Sequence, residues 1–251
     1  MKLRIYNITH KPLNLVVNSL FQPIIVGNKE DKLVPASFLR DDINDNIADK
    51  SSNFCELTAI YWLWKNVHDI DYIGICHYRR YLNFKDLYTF KHLKEIDSSN
   101  KSEYDLNIIC SDRYYDKILS HLIKGYTILP KKRKFRRTIY DQYKKYHVEA
   151  DLKKMKTVLF EKYPDYKESF NTCFVKRKKG YFYNMMILPK SDFNDYCSWL
   201  FDILFELERR IKPSEDFYQK RVYGFLSERL LGLYIYHNKV KVKEKQILSY
   251  P

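Results

Sequence analysis

Between residues 42 and 81 the chain reads DINDNIADKSSNFCELTAIYWLWKNVHDIDYIGICHYRRY and closes on four chemically capable side chains, His77, Tyr78, Arg79 and Arg80. Guanidinium forks match phosphate oxygens, so this run can hold a diphosphate. Neighbouring side chains of an extended segment diverge, so one of the two arginines is expected to face such a site. The alternative is that Arg79 or Arg80 pairs with a carboxylate such as Asp45 and orders the loop. For His77 three readings stay open: a donor to diphosphate, a lone metal ligand, or a satisfied buried histidine. Three carboxylates can serve as a general base toward a hydroxyl. Glu228 follows a glycine in GFLSER, with pairing to Arg221 or Lys220 as its structural alternative. Asp151 comes four residues after His147, so the two would share a helix face as an acid/base pair or as a buried hydrogen bond. Glu56 comes three residues after Asn53, where a capping box would occupy it.

The elements that must place these groups follow from periodicity. Leu57, Tyr61, Trp64 and His68 recur at helical spacing, with Asn53 as N-cap, and YIGIC over 72–76 is a short buried strand in which Gly74 permits close backbone approach. The ionisable run His77–Arg80 therefore sits at a strand's carboxyl end, where open α/β sheets collect ligands. Further strands are expected over 2–8, 23–27, 104–110, 126–129 and 181–188. Helices are expected over 14–20, within 84–100, over 114–123, 140–160 and 191–211, with Ser191 as N-cap of the last of these, and over 217–236. A basic tail then closes the chain. Strands alternating with helices give an α/β fold.

The string N-x-x-C-E-L-T-A-x-Y-W-x-W-K-N followed by D-Y-I-G-x-C-H-Y-R-R-Y resembles the signature of a bacterial family catalogued as a domain of unknown function. Further matching strings are ILPKKRKF at 128–135, YDQYKKYHVEADL at 140–152, YNMMILPKSDFNDYCSWLFDILFELE at 183–208 and RVYGFLSERLL at 221–231. That family is attached to capsular and exopolysaccharide loci and regarded as glycosyltransferases. The resemblance implies a single GT-A-like nucleotide-sugar-binding domain, with a mixed, mainly parallel sheet flanked by helices and C-terminal helices added. Residues 1–130 would form the nucleotide-binding half, 131–180 a basic helical segment, and 181–251 the acceptor-side strand and last helices. A nucleotide sugar is the implied donor, UDP-linked hexoses including galactofuranose being candidates, and a lipid-linked or growing polysaccharide the acceptor. The donor side is then expected at Asp45, Asn46, Asn53, Thr58, His77, Tyr78, Arg79 and Arg80, and the acceptor side at His147, Asn184 and Arg221. Enzymes of this kind often hold the diphosphate through a divalent metal such as Mn or Mg on an Asp-x-Asp motif. Asp69-Ile70-Asp71 precedes its strand instead of following it, so no metal ligand set is assigned and no cofactor is required.

With 45 Lys and Arg against 31 Asp and Glu, the net charge of +14 calls for an anionic partner. The cations concentrate at 131–137, 176–179 and 239–245, which read as solvated faces or as contacts to an anionic membrane surface. The rival class is a nucleic-acid-binding protein using these patches and the 23 tyrosines. The tyrosines fall mostly in amphipathic core patterns, and no nucleic-acid motif is present, so nucleic acid is not the expected partner. Five cysteines without a C-x-x-C pair, and no apolar run of about 18 residues, suit a cytoplasmic protein peripheral at the inner face of the plasma membrane.

Overall fold

The computed structural model describes the chain except residues 28–33, 86–88, 90, 98 and 100–101. The expected helix within 84–100 falls partly outside the described residues. The strands are β1 (Leu3–Thr9), β2 (Phe21–Ile25), β3 (Leu39–Arg40), β4 (Tyr72–His77), β5 (Arg80–Leu82), β6 (Leu93–Glu95), β7 (Thr127–Pro130), β8 (Arg133–Lys134), β9 (Lys179–Gly180), β10 (Met186–Pro189), β11 (Val242–Lys245) and β12 (Ile247–Ser249). The helices are α1 (Ser51–Phe54), α2 (Leu57–Asn66), α3 (Leu106–Ile109), α4 (Tyr115–Ile123), α5 (Ile139–Tyr146), α6 (Glu149–Lys162), α7 (Tyr166–Phe170), α8 (Lys190–Arg210) and α9 (Val222–His237), with a π-helical turn at Asn171–Lys176.

The main sheet runs β11-β7-β10-β4-β1-β2-β3. It is mixed and mainly parallel: β1, β2, β3 and β4 run together, β11 runs with β7, and β10 lies antiparallel between β4 and β7. Period-two alternation sends Tyr6, Ile8, Ile73 and Ile75 to a core shared with α2, α6, α8 and α9, while Ile5, Cys76 and Ile187 enter a second core under α3, α4 and β12. A Cβ on Gly74 would stand 2.7 Å from Ile5 Cγ1 and 3.1 Å from Ile187 Cγ1, so only glycine lets β1 and β10 close on β4.

Several expectations are corrected. Residues 14–20 form no helix, and 104–110 contain α3 instead of a strand, because Asp105 caps the Asn107 N–H and starts a helical turn. Among the described residues of 84–100 the ordered element is the strand β6. The helix expected over 140–160 is two helices, with His147 ending α5 and Val148 opening α6. The strand expected over 181–188 is confined to Met186–Pro189, since Tyr183 and Asn184 adopt left-handed backbone, with φ of 79° and 48°. α8 begins at Lys190 with Pro189, not Ser191, at its N-cap. The expected basic tail is β11 and β12, both integrated into the sheet.

Candidate active site

At the carboxyl end of β4, the chain turns through Tyr78 and Arg79 into the antiparallel β5, with His77 opposite Arg80. The two arginines diverge, as strand geometry requires. Arg79 is exposed and lies 5.1 Å from the Tyr78 ring, which packs edge-on against His10. Arg80 turns the other way, 5.1 Å from the Tyr183 ring, and its field reaches both His77 and Glu228.

The left-handed pair Tyr183–Asn184 is the hub of the site. Nε2 of His77 faces the Tyr183 carbonyl. A carbonyl only accepts, so that nitrogen carries the proton. Burial holds His77 below its ordinary pKa against the pull of Glu56, which keeps the ring neutral at physiological pH. The Tyr183 N–H donates to Glu228 Oε1 at 3.2 Å. Asn184, fully buried, donates through Nδ2 to Glu56 Oε1 and to Ser227 Oγ, both at 2.8 Å, and its Oδ1 meets no donor among the described residues. One dipeptide thus joins a histidine and two carboxylates drawn from three distant elements.

Glu56 is free to do this because the capping box does not form. The chain breaks at Cys55, held at φ 55° and ψ −126°, between α1 and α2. Asn53 lies inside α1 and bonds the Lys220 carbonyl at 2.9 Å, and Glu56 itself occupies the N-cap position of α2 without a side-chain cap bond. The buried Thr58 hydroxyl donates to the Cys55 carbonyl at 3.1 Å, bracing the break. Backbone in such a region costs on the order of 1–3 kcal/mol and persists where the surroundings enforce it. Gly224 packs against this break: a Cβ there would sit 3.4 Å from Cys55 Sγ. Arg221 Nε donates to that sulfur at 3.3 Å and carries its charge beside Glu56. Burial, followed by Glu56, pushes the Cys55 thiol up to about 11, so it is a packing group and not a thiolate nucleophile at neutral pH.

Glu228 pairs with its neighbour Arg229 at 3.2 Å, not with Arg221 or Lys220. Arg229 is buried and also donates to the Phe225 carbonyl at 2.7 Å and Gln142 Oε1 at 2.9 Å, so the counter-charge is fixed. Burial raises the Glu228 carboxyl, Arg229 opposes the rise, and Glu56 adds to it. A carboxylate raised in this way, held by one N–H and one guanidinium, suits proton abstraction better than an ordinary surface glutamate.

The other expected residues lie outside this cluster. Asp151, in the first turn of α6, is separated from His147 by the break between the helices, and no hydrogen bond joins them. His147 packs on Phe225 at 4.1 Å beside Arg229, and burial followed by Arg229 lowers it to about 4. Asp45 accepts from the Tyr61 hydroxyl at 3.0 Å, and its carbonyl accepts from Asn66 near the far end of α2 from Glu56, so it is no partner of Arg79 or Arg80. Asn46 bonds within its own turn, to the Ala48 N–H and the Asn44 carbonyl. The residues that sequence reasoning missed are Cys55, Tyr183, Ser227 and Arg229. Tyr183 acts through its backbone, which leaves no mark in a sequence, whereas Asn184 carries a signal as a residue that tolerates left-handed φ. The Asp69-Ile70-Asp71 pair does not fit a metal–diphosphate site, because Asp71 Oδ2 accepts from the Lys2 N–H at 2.6 Å at the opposite end of β4. Among the described residues, no three His, Cys, Asp or Glu side chains are grouped to hold a metal.

The family model described as a domain of unknown function (DUF4422) matches residues 4–239. The chain belongs to this family. Among solved structures, the apo structure of WbbM, a bifunctional glycosyltransferase, superposes with a TM-score of 0.84 at 32% identity. The match takes in 100% of this chain and 45% of the WbbM chain, so this chain spans under half of that protein's length. No curated protein matches. The DUF4422 match takes in every residue of the Glu56–Asn184–Glu228 cluster and ends shortly before β11.

Proposed function

We propose that the chain is a glycosyltransferase that moves a sugar from a nucleotide donor, UDP-linked, onto a lipid-linked or growing saccharide in surface-polysaccharide synthesis, with inversion at the anomeric carbon. The observation that carries this reading is the pair of carboxylates, Glu56 and Glu228, held on either side of Tyr183–Asn184 with Arg80 and Arg221 beside them at the carboxyl end of the central strand. The similarity to WbbM, itself a bifunctional glycosyltransferase, supports it. A GT-A-like arrangement would place the donor across this strand end, the position that open α/β sheets reserve for ligands.

In the reaction, the acceptor hydroxyl gives its proton to Glu228 as its oxygen bonds to the anomeric carbon. The bond from that carbon to the diphosphate breaks, and its electron pair leaves with the nucleotide. Arg80 and Arg221 are the cations available to the departing charge, and neutral His77 holds Tyr183 in the geometry that presents its N–H to Glu228. Glu56, through Asn184, fixes the other side of the hub and holds the Glu228 carboxyl up by its own charge. The site lies in a chain in which no helix, among the described residues, is long and apolar enough to cross a membrane, so an acceptor on a lipid would be met at the surface.

The test is donor hydrolysis across a panel of nucleotide sugars, with thermal shifts by nucleotides and by single-stranded oligonucleotides run in parallel. Turnover of one UDP-sugar and stabilisation by UDP are expected. Stabilisation by oligonucleotides alone would instead select the nucleic-acid reading.

A further inference from the structure

The three basic runs that look independent in the sequence meet around one cavity. Lys132 from the first run, Arg177 and Lys179 from the second and Lys239 from the third line a space of about 620 Å³, a size typical of small-molecule sites. The convergence is built by backbone pairing. β8 lies antiparallel to β9, β11 runs parallel to β7, and the Lys131 N–H donates to the Lys245 carbonyl at 2.8 Å. The floor is apolar, formed by Ile139, Phe174, Phe182, Leu233 and Val242. Phe174 belongs to the π-helical turn, a distortion that recurs at binding sites.

The charge is unbalanced. The one carboxylate in the lining, Glu244, is already engaged by the Tyr181 hydroxyl at 2.9 Å and Lys132 at 3.3 Å. Arg177 lies 4.2 Å from the Tyr236 ring, and Lys179 and Lys239 join no ion pair among the described residues. Lys239 sits at φ 51° just past the end of α9, where glycine is the unstrained choice. The buried Arg229, which pairs with Glu228, forms part of the wall, and its Nε–H finds no acceptor among the described residues. The cavity therefore backs onto the proposed base through a single guanidinium.

An apolar floor offers little to saccharide hydroxyls, and a bare phosphate would leave it unused. Both halves are satisfied by a phosphate or diphosphate joined to a hydrocarbon chain. We propose that this cavity takes the phosphorylated head and first carbons of the acceptor's lipid carrier, with Lys132, Arg177, Lys179 and Lys239 on the phosphates. The assignment rests on the glycosyltransferase reading above, and it gives the acceptor's lipid end a place one wall away from Glu228.

The experiment is titration of the full chain with geranylgeranyl diphosphate, inorganic pyrophosphate and phosphatidylglycerol vesicles, alongside donor hydrolysis. Geranylgeranyl diphosphate should bind at least tenfold more tightly than pyrophosphate. The double variant Lys179→Glu, Lys239→Glu should weaken it at least tenfold while leaving UDP affinity unchanged. Lys239→Gly gives a second readout of opposite sign, with a raised Tm from relief of the left-handed lysine and weaker lipid-diphosphate binding. Equal affinity for pyrophosphate, binding only to vesicles, or variants that bind like wild type would each overturn the assignment. If donor hydrolysis persists in those cases, the glycosyltransferase reading stands and the cavity assignment alone falls. Absence of donor turnover and of UDP binding would overturn the reading, and the acceptor role with it.

Discussion

Glu228 and Glu56 are held by the same dipeptide, and the charge of Glu56 lifts the pKa of Glu228. If Glu228 is the base, Glu228→Gln should cut kcat by roughly 10²- to 10⁴-fold, the usual size of a general-base contribution, with UDP affinity nearly unchanged. Glu56→Gln should leave residual turnover whose acidic limb moves to lower pH, because the removed negative charge no longer disfavours ionisation of Glu228. If Glu56 is the base instead, the pattern reverses: Glu228→Gln keeps kcat within tenfold and Glu56→Gln takes the roughly 10²- to 10⁴-fold loss. Arg80 and Arg79 test the donor side. Arg80→Ala should lose roughly 1.5–3 kcal/mol of UDP binding, the range for hydrogen bonds to charged groups, and Arg79→Ala almost none. Equal UDP affinities by calorimetry in the two variants would remove the arginine from the diphosphate site. The arginines were legible from the sequence as residue types at a strand end, and the two glutamates as candidate bases. Their partners were not, because the contacts that unite them run through the Tyr183 backbone and through Arg229, whose neighbours lie on another helix.

At the scale of elements, two short breaks build the site and a third packs beside it against Arg229 and Phe225, and each defeats periodicity for a physical reason. Cys55 interrupts what reads as one continuous capped helix, Tyr183–Asn184 interrupts an apolar strand, and His147 separates α5 from α6. The helix and strand stripes were legible because burial repeats at 3.6 or 2 residues. One or two residues leaving the helical or extended path change no repeat, so the breaks were silent. His147 shows what such a break stores. Burial and Arg229 hold it neutral down to about pH 4, whereas in the unfolded chain it would protonate near 6.5. Between those values the unfolded state binds more protons, so stability rises with pH through this window and is lost on acidification. Wild-type Tm should therefore fall by a few degrees more between pH 6.5 and 4.5 than that of His147→Gln. Parallel Tm profiles for the two proteins would show that His147 protonates without opposition.

At the scale of the whole molecule, the alternation of strands and helices announced an α/β sheet, but the closing strands were hidden. KVKVKEKQILSY carries so many lysines that it reads as a solvated tail, and the family match ends at its first residue, Lys239. The lysines are one face of an edge strand: Lys241 and Lys243 are exposed while Val242 packs against the main core, a common way to keep a sheet edge from pairing with another chain. Past them, Ile247 and Leu248 are fully buried. β12 joins β5 to β6, placing Ser249 opposite Arg80, and the Tyr250 N–H donates to the Arg79 carbonyl at 2.8 Å. The segment is thus both a core element and the brace of the loop that carries the arginines. Burying two such side chains is worth roughly 3–6 kcal/mol, a large share of the ~5–15 kcal/mol that holds a typical domain together. Removing residues 246–251 should lower Tm by about 10 °C or more, and UDP affinity should fall in whatever fraction stays folded. Lys241→Glu with Lys243→Glu alters the charge of the same region without touching the core, so its Tm should stay within about 2 °C of wild type, as expected for exposed positions. A truncated chain that melts with the wild type would make the segment a tail after all, and would leave the position of Arg80 to β4 and β5 alone.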